Sequence, residues 1–107
     1  MVLRILYLSF GVFLLSCGGA EEAEEQWSTS SIENGEQLYT IHCLRCHGSS
    51  GDLGASGSKN LKISTLKSPE IIKIIREGKG AMPAYANTLD SEEKFNWLSE
   101  YVISLRN

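Results

Sequence analysis

Apolar positions are distributed along this chain in three different ways. Behind Arg4, residues 5–15 form a nearly continuous apolar run, and residues 18–31 then carry almost no apolar side chain and are rich in Glu and Ser. Beyond them apolar residues return at helical spacing, in segments divided by Gly, Ser and Pro. Ser30 with Glu33 three residues later has the form of a capping box, and Ile32, Leu38, Tyr39 and Ile41 predict a helix running to about Leu44. Gly35 inside that helix costs about 1 kcal/mol. It lies one turn before Tyr39 on the same face, which predicts that another helix crosses closely there.

Residues 48–60 predict a loop, with Gly48, Gly51, Gly54 and Gly57 at three-residue intervals. This is not the G-x-G-x-x-G spacing, and no strand precedes it, so a phosphate-cradling nucleotide loop is excluded. Ser68, Pro69 and the run Ile71, Ile72, Ile74, Ile75 closed by Gly78 predict a helix with Ser68 as N-cap and Pro69 in the first helical position. Met82 precedes Pro83, a position pushed away from helical geometry, and so falls on a loop. Asp90 with Glu93 opens a last helix whose Phe95, Leu98, Val102 and Leu105 are spaced 3, 4 and 3, beside Trp97 and Tyr101. No segment has the alternation of a strand. The fold class is all-α, three to four short helices over residues 30–107.

Charge narrows the function. The 107 residues carry a net −3, but Glu21, Glu22, Glu24 and Glu25 supply four of the acids, and from Trp27 onward nine basic residues balance nine acidic ones. A neutral domain lacks the basic footprint of a nucleic-acid binder. The opening run followed by Ser16-Cys17-Gly18-Gly19 has the layout of an export signal over residues 1–16. The rival, an uncleaved anchor, needs about 20 apolar residues and reaches that length only by counting Ser16 to Ala20. Leu14-Leu15-Ser16-Cys17 resembles the bacterial lipobox, with Leu15 where that motif has a small residue. The resemblance implies acylation of Cys17, a flexible acidic tether over 17–29, and a domain held at a membrane facing the periplasm or cell exterior. It also accounts for the odd cysteine of three.

Helices this few and short bury little surface, and domains of this size usually recruit a metal or cofactor. Cys43-Leu44-Arg45-Cys46-His47 is the C-x-x-C-H spacing of c-type haem attachment. Two thiols two residues apart add across two vinyl groups of one haem, and the adjacent His lies under the iron. A redox C-x-x-C would sit near a βαβ pattern, which is absent. A zinc site needs four ligands, and His42, Cys43, Cys46 and His47 are crowded along six residues. An electron-transfer haem takes a second strong axial ligand, commonly Met or His. Met1 leaves with the leader and His42 adjoins Cys43, so Met82 remains.

These residues resemble the class I monohaem cytochromes c of the small bacterial type. The likeness covers Ser30 to Arg106: Gly35 and Tyr39 in the first helix, C-x-x-C-H-G from Cys43 to Gly48, Asn60-Leu61, the run from Ile75 to Pro83, and the last helix with Tyr101. It implies one haem c held by Cys43 and Cys46, iron bound by His47 and Met82, and Gly35 and Tyr39 packed near Trp97 and Tyr101. Lys59 stands where the family often has Pro before Asn-Leu, near a backbone carbonyl that accepts the ring N–H of His47. The same reading places Tyr85 at the haem edge, Trp97 in the core and His42 in solvent.

With both axial positions filled there is no substrate site. The expectation is therefore an electron-transfer protein, not an enzyme, with redox proteins (a respiratory complex, oxidase or dehydrogenase) as partners. Alternatives are a fixed redox subunit of a larger oxidase or dehydrogenase, and a haem sensor or enzyme with a displaceable Met82. Lys59, Lys62, Lys67, Lys73, Arg76 and Lys79 against Glu70 and Glu77 suit steering of an acidic partner, with a Lys73/Glu77 pair as the plainer account.

Overall fold

The computed structural model describes Gly18 and residues 25–106, so the leader and Cys17 lie outside the described residues. Among the described residues four helices form: α1 (Ser31–His42), α2 (Leu44–His47), α3 (Ser68–Glu77) and α4 (Glu92–Ser104), with 3-10 turns at Ala55–Gly57 and Leu61–Ile63. Among the described residues the sole β-type pairing is an isolated bridge between Lys79 and Met82, and no helix is long and apolar enough to cross a membrane. The all-α architecture read from the sequence is the observed one.

The helix boundaries shift by a residue or two, for reasons visible in the caps. Ser30 Oγ accepts from the Glu33 N–H at 3.4 Å, but the Glu33 carboxylate takes the Ser28 hydroxyl and does not close a box. α1 stops at His42 because Cys43 (φ −116°, ψ −30°) departs from ideal helical geometry before α2 begins. α3 is capped by Lys67, whose N–H donates to Glu70 Oε2 at 2.7 Å. Ser68 lies inside the helix, and its hydroxyl is held instead by Ser99 Oγ of α4 at 2.7 Å. Ser91, not Asp90, caps α4 by accepting from the Lys94 N–H at 3.3 Å.

The core is Leu38 and Tyr39 of α1, Ile71 and Ile75 of α3, Leu89, and Phe95, Leu98 and Val102 of α4. The buried stripe of α1 runs through Asn34, Gly35, Leu38 and Tyr39. Ile32 and Ile41 fall at its two edges and are exposed, at 41% and 67%. α1 crosses α4 at Gly35, where a Cβ would stand 2.7 Å from Tyr101 Cβ and closer still to the Trp97 carbonyl oxygen. Only glycine permits that approach. The Tyr39 and Tyr101 rings meet beside it, 5.1 Å between centroids.

The domain end of the expected 17–29 tether is not free chain. Trp27 packs on Trp97 with ring centroids 5.2 Å apart, and the Ser28 N–H donates to Asn34 Oδ1 at 2.7 Å while Asn34 Nδ2 returns a bond to the Ser28 carbonyl at 2.8 Å. Asn34, 1% exposed, thereby satisfies its buried amide.

Candidate functional site

α2, the turns around residues 55–66, α3 and the loop of residues 79–85 enclose a cavity of about 710 Å³, whose wall Val102 of α4 completes. Leu61, Leu66, Ile71, Ile74 and Ile75 supply much of its apolar surface. A space of this size is in the range that holds a small-molecule ligand or cofactor. The shape calls for a large, mainly apolar occupant.

Cys43, Cys46, His47 and Met82, the four residues singled out for haem, all line this cavity. One helical turn separates the two cysteines, with the Cys46 and His47 N–H groups donating to the Cys43 carbonyl at 3.2 and 3.0 Å, so both thiols and the imidazole project from one short element. The two cysteines form no disulfide with each other. Burial, reinforced by the neighbouring Cys46, pushes the Cys43 thiol up to about 12. Its surroundings therefore favour an uncharged sulfur, which a thioether is.

The His47 Nδ1 N–H donates to the Lys59 carbonyl oxygen at 3.1 Å. A donor at Nδ1 leaves the lone pair at Nε2 for a metal, and the carbonyl fixes ring orientation. The contact needs only backbone from residue 59, so it forms with Lys where Pro is more usual. The loop is braced by bonds from the Leu53 N–H to the His47 carbonyl at 2.9 Å and from the Leu61 N–H to the Gly51 carbonyl at 2.8 Å.

Met82 reaches the cavity through the end of α3. Gly78 closes that helix at φ 75°, and a Cβ there would meet the Met82 carbonyl oxygen at 2.7 Å. The chain then doubles back through reciprocal bonds between Lys79 and Met82, 3.1 and 3.0 Å. The Tyr85 N–H donates to the Ile75 carbonyl at 2.9 Å, tying the loop to the helix it left.

Tyr85 lines the cavity as expected, and its hydroxyl donates to the His42 carbonyl at 3.0 Å. His42 does not face solvent as its position suggested. It is half-buried, lines the cavity, and packs its ring against Tyr85 with centroids 5.4 Å apart. Burial lowers its pKa, with Glu25 and Lys94 acting in opposite directions. The side chain turns to Tyr85 and not to the thiols, and no cluster of three or more His, Cys, Asp or Glu among the described residues is placed to share a metal ion. Trp97 is half-buried against the core, as expected, but its partner Trp27 falls within the expected tether, because a single aromatic in an acidic stretch carries no period to reveal it.

Among the described residues the ion pairs are Arg76–Glu92 at 2.8 Å, Lys94–Glu25 at 2.7 Å and Lys94–Asp90 at 3.1 Å. Lys73 and Glu77 make none. Arg76 also lies over the Phe95 ring, 4.2 Å from its centroid. Lys59 and Lys79 line the cavity itself.

Comparison with known proteins agrees with this geometry. Residues 30–102 match the family described as cytochrome c oxidase, cbb3-type, subunit III. A cytochrome c6-like protein of Nostoc is 38% identical over 76 residues, covering 65% of this chain and 67% of its own. The cytochrome c subunit of 4-cresol dehydrogenase (hydroxylating) from Pseudomonas putida is 30% identical over 105 residues, 98% of this chain and 83% of the subunit. The cytochrome c subunit of the menaquinol:cytochrome c reductase of Bacillus subtilis is 36% identical over 88 residues, 76% of this chain but 34% of that subunit.

Proposed function

The chain belongs to the cytochrome c family, as a small monohaem class I electron-transfer protein with covalently bound haem c, and from that premise we propose how its own residues serve that role. Cys43 and Cys46 carry the thioether bonds, His47 and Met82 bind the iron, and Cys17 carries a lipid that tethers the domain to a membrane, facing the periplasm or cell exterior. When bound, the haem supplies reversible one-electron gain and loss at its iron.

The protein's part is to hold that group still and dry. The Lys59 carbonyl keeps the proton of His47 at Nδ1, so that Nε2 acts as a ligand without rotation of the ring. Gly78 and the Lys79–Met82 pair bring the Met82 thioether to the cavity, and a thioether ligand raises the reduction potential. Ile71, Ile75 and Val102 exclude water, which favours the less charged reduced state and leaves little to reorganise when an electron moves. With His47 and Met82 both holding the iron, the group would exchange electrons without binding a substrate.

The observation that carries this assignment is the convergence of Cys43, Cys46, His47 and Met82 on one apolar cavity. Its test is the optical spectrum of the haem-loaded protein. A ferric sulfur-to-iron band, with no change on adding carbon monoxide to the reduced form, supports the His47/Met82 pair. Ready carbon monoxide binding without that band overturns it in favour of an open, sensor-like iron.

Tethering rests on the apolar run behind Arg4 and on Cys17 before Gly18-Gly19. Cys17→Ser is expected to release the protein to the soluble fraction, and continued retention would favour an intact N-terminal anchor. A second reading, a fixed subunit of a dehydrogenase or oxidase, is favoured by the match along 98% of this chain to a dehydrogenase's cytochrome c subunit. Co-purification with a larger redox enzyme at constant ratio would select it over a free carrier.

A further inference from the structure

Lys94 is the hub of a cluster the electron-transfer role does not use. Its ammonium pairs with Glu25 at 2.7 Å and Asp90 at 3.1 Å, and stands 4.8 Å above the Trp27 ring, which itself packs on Trp97. The lysine side chain is only 12% exposed. The cluster reaches the cavity through Asp90, because the turn leading to that residue is built on Tyr85, whose carbonyl accepts from the Thr88 and Leu89 N–H groups at 3.1 and 3.0 Å. Tyr85 lines the cavity. The N-terminal segment therefore joins the domain on the side that carries the Tyr85 edge.

Two of the three contacts to Lys94, Glu25 and Trp27, come from the segment before α1. We propose that Glu25, Trp27, Asp90, Lys94 and Trp97 form an orientation clamp, which fixes where the tether leaves the domain and holds the Tyr85 edge of the haem cavity towards the membrane, for exchange with a redox protein embedded in that same membrane. This rests on the reading of Cys17 as the lipid attachment point. Glu25 is eight residues from Cys17 and Ser28, held by Asn34, is eleven, so losing the clamp raises the greatest span of the intervening sequence from ~29 Å to ~40 Å. The shorter leash and the fixed exit point raise the effective concentration of one edge at the bilayer surface and remove most other presentations.

The test uses the full-length, lipidated, haem-loaded chain on phosphatidylcholine vesicles that contain a headgroup-labelled fluorescent lipid. The haem quenches the dye by energy transfer, which falls steeply with distance. Co-flotation with the vesicles reports the anchor independently. The expected result is that Glu25→Gln with Trp27→Ala, both outside the helices, co-floats like the parent with an unchanged haem spectrum, while quenching drops about twofold or more as the leash lengthens. Lys94→Gln, which removes both ion pairs, is expected to behave alike. Unchanged quenching in co-floating variants overturns the clamp. A parent chain that does not float, or a Cys17→Ser variant that still does, overturns the tether reading and this inference with it.

Discussion

The imidazole of His47 and the backbone carbonyl of Lys59 lie 3.1 Å apart, a contact in which the lysine side chain takes no part. The carbonyl of residue 59 thus orients the imidazole, and the residue also lines the cavity. Lys59→Ala is expected to leave the optical spectrum and reduction potential of the haem-loaded protein unchanged. A loss of the ferric sulfur band in that variant would show that the side chain is needed to hold the loop.

Lys59 and Lys79 both line the cavity, and neither has an ion-pair partner among the described residues, whereas Arg76 is occupied by Glu92. Lys59→Gln with Lys79→Gln is expected to slow electron transfer to an acidic redox partner severalfold at low salt and to flatten the dependence of rate on ionic strength. Stopped-flow rates over a salt series check this. A salt slope equal to the parent's would remove steering from the account.

Met82→Ala is expected to lower the reduction potential and to open the reduced iron to carbon monoxide, while Gly78 and the Lys79–Met82 backbone pair keep the loop in place. Potentiometry and carbon monoxide difference spectra are the measurements. An unchanged potential would assign the sixth ligand elsewhere.

Gly35→Ala puts a methyl group where the Tyr101 Cβ would be 2.7 Å away. Overpacking of this kind costs ~1–3 kcal/mol, read as a lower denaturation midpoint with an unchanged slope in urea. Ile41→Ala is the control: at 67% exposure its truncation is expected to change stability by no more than ~0.5 kcal/mol.

Tyr39 is 1% exposed and its hydroxyl donates to the Gly48 carbonyl at 2.5 Å, at the end of the attachment helix. Burial raises its pKa from 10.0 to about 12, with smaller like-signed contributions from Cys43, Tyr101 and Asp52. The neutral phenol is the form the fold holds, so this contribution is complete below pH 10 and is lost as pH rises towards about 12. Tyr39→Phe is expected to be less stable near neutral pH, and the gap from the parent should narrow across that alkaline window in chemical denaturation. A pH-independent gap would mean that the lost hydrogen bond, not the titration, sets the difference.

Much of this was legible in the sequence because it depends on local covalent spacing. Cys43, Cys46 and His47 are within one turn of chain, and the Gly78 and Pro83 signals around Met82 force a loop whatever the surroundings. Gly35 was readable because a costly glycine inside a helix needs a reason. What the sequence hid is what tertiary contact decides. Ser68 gives its hydroxyl to Ser99, 31 residues away, and leaves the cap to Lys67. His42 turns inward because the Tyr85 ring, 43 residues further on, packs against its imidazole while the Tyr85 hydroxyl holds its backbone carbonyl. Trp27 looked like a residue of the tether because its partner Trp97 lies at the other end of the chain.

The contact of α1 with α4 through Gly35 also fixes an order of events. The helices that meet there come from opposite ends of the domain, so the core cannot close until α4 is made, and closing it spans a long loop. The C-x-x-C-H segment emerges about 50 residues before Trp97. During synthesis the two thiols are therefore present on open chain well before the fold that will bury them can form. The haem that fills the cavity can be attached first, and the last helix then shuts over it.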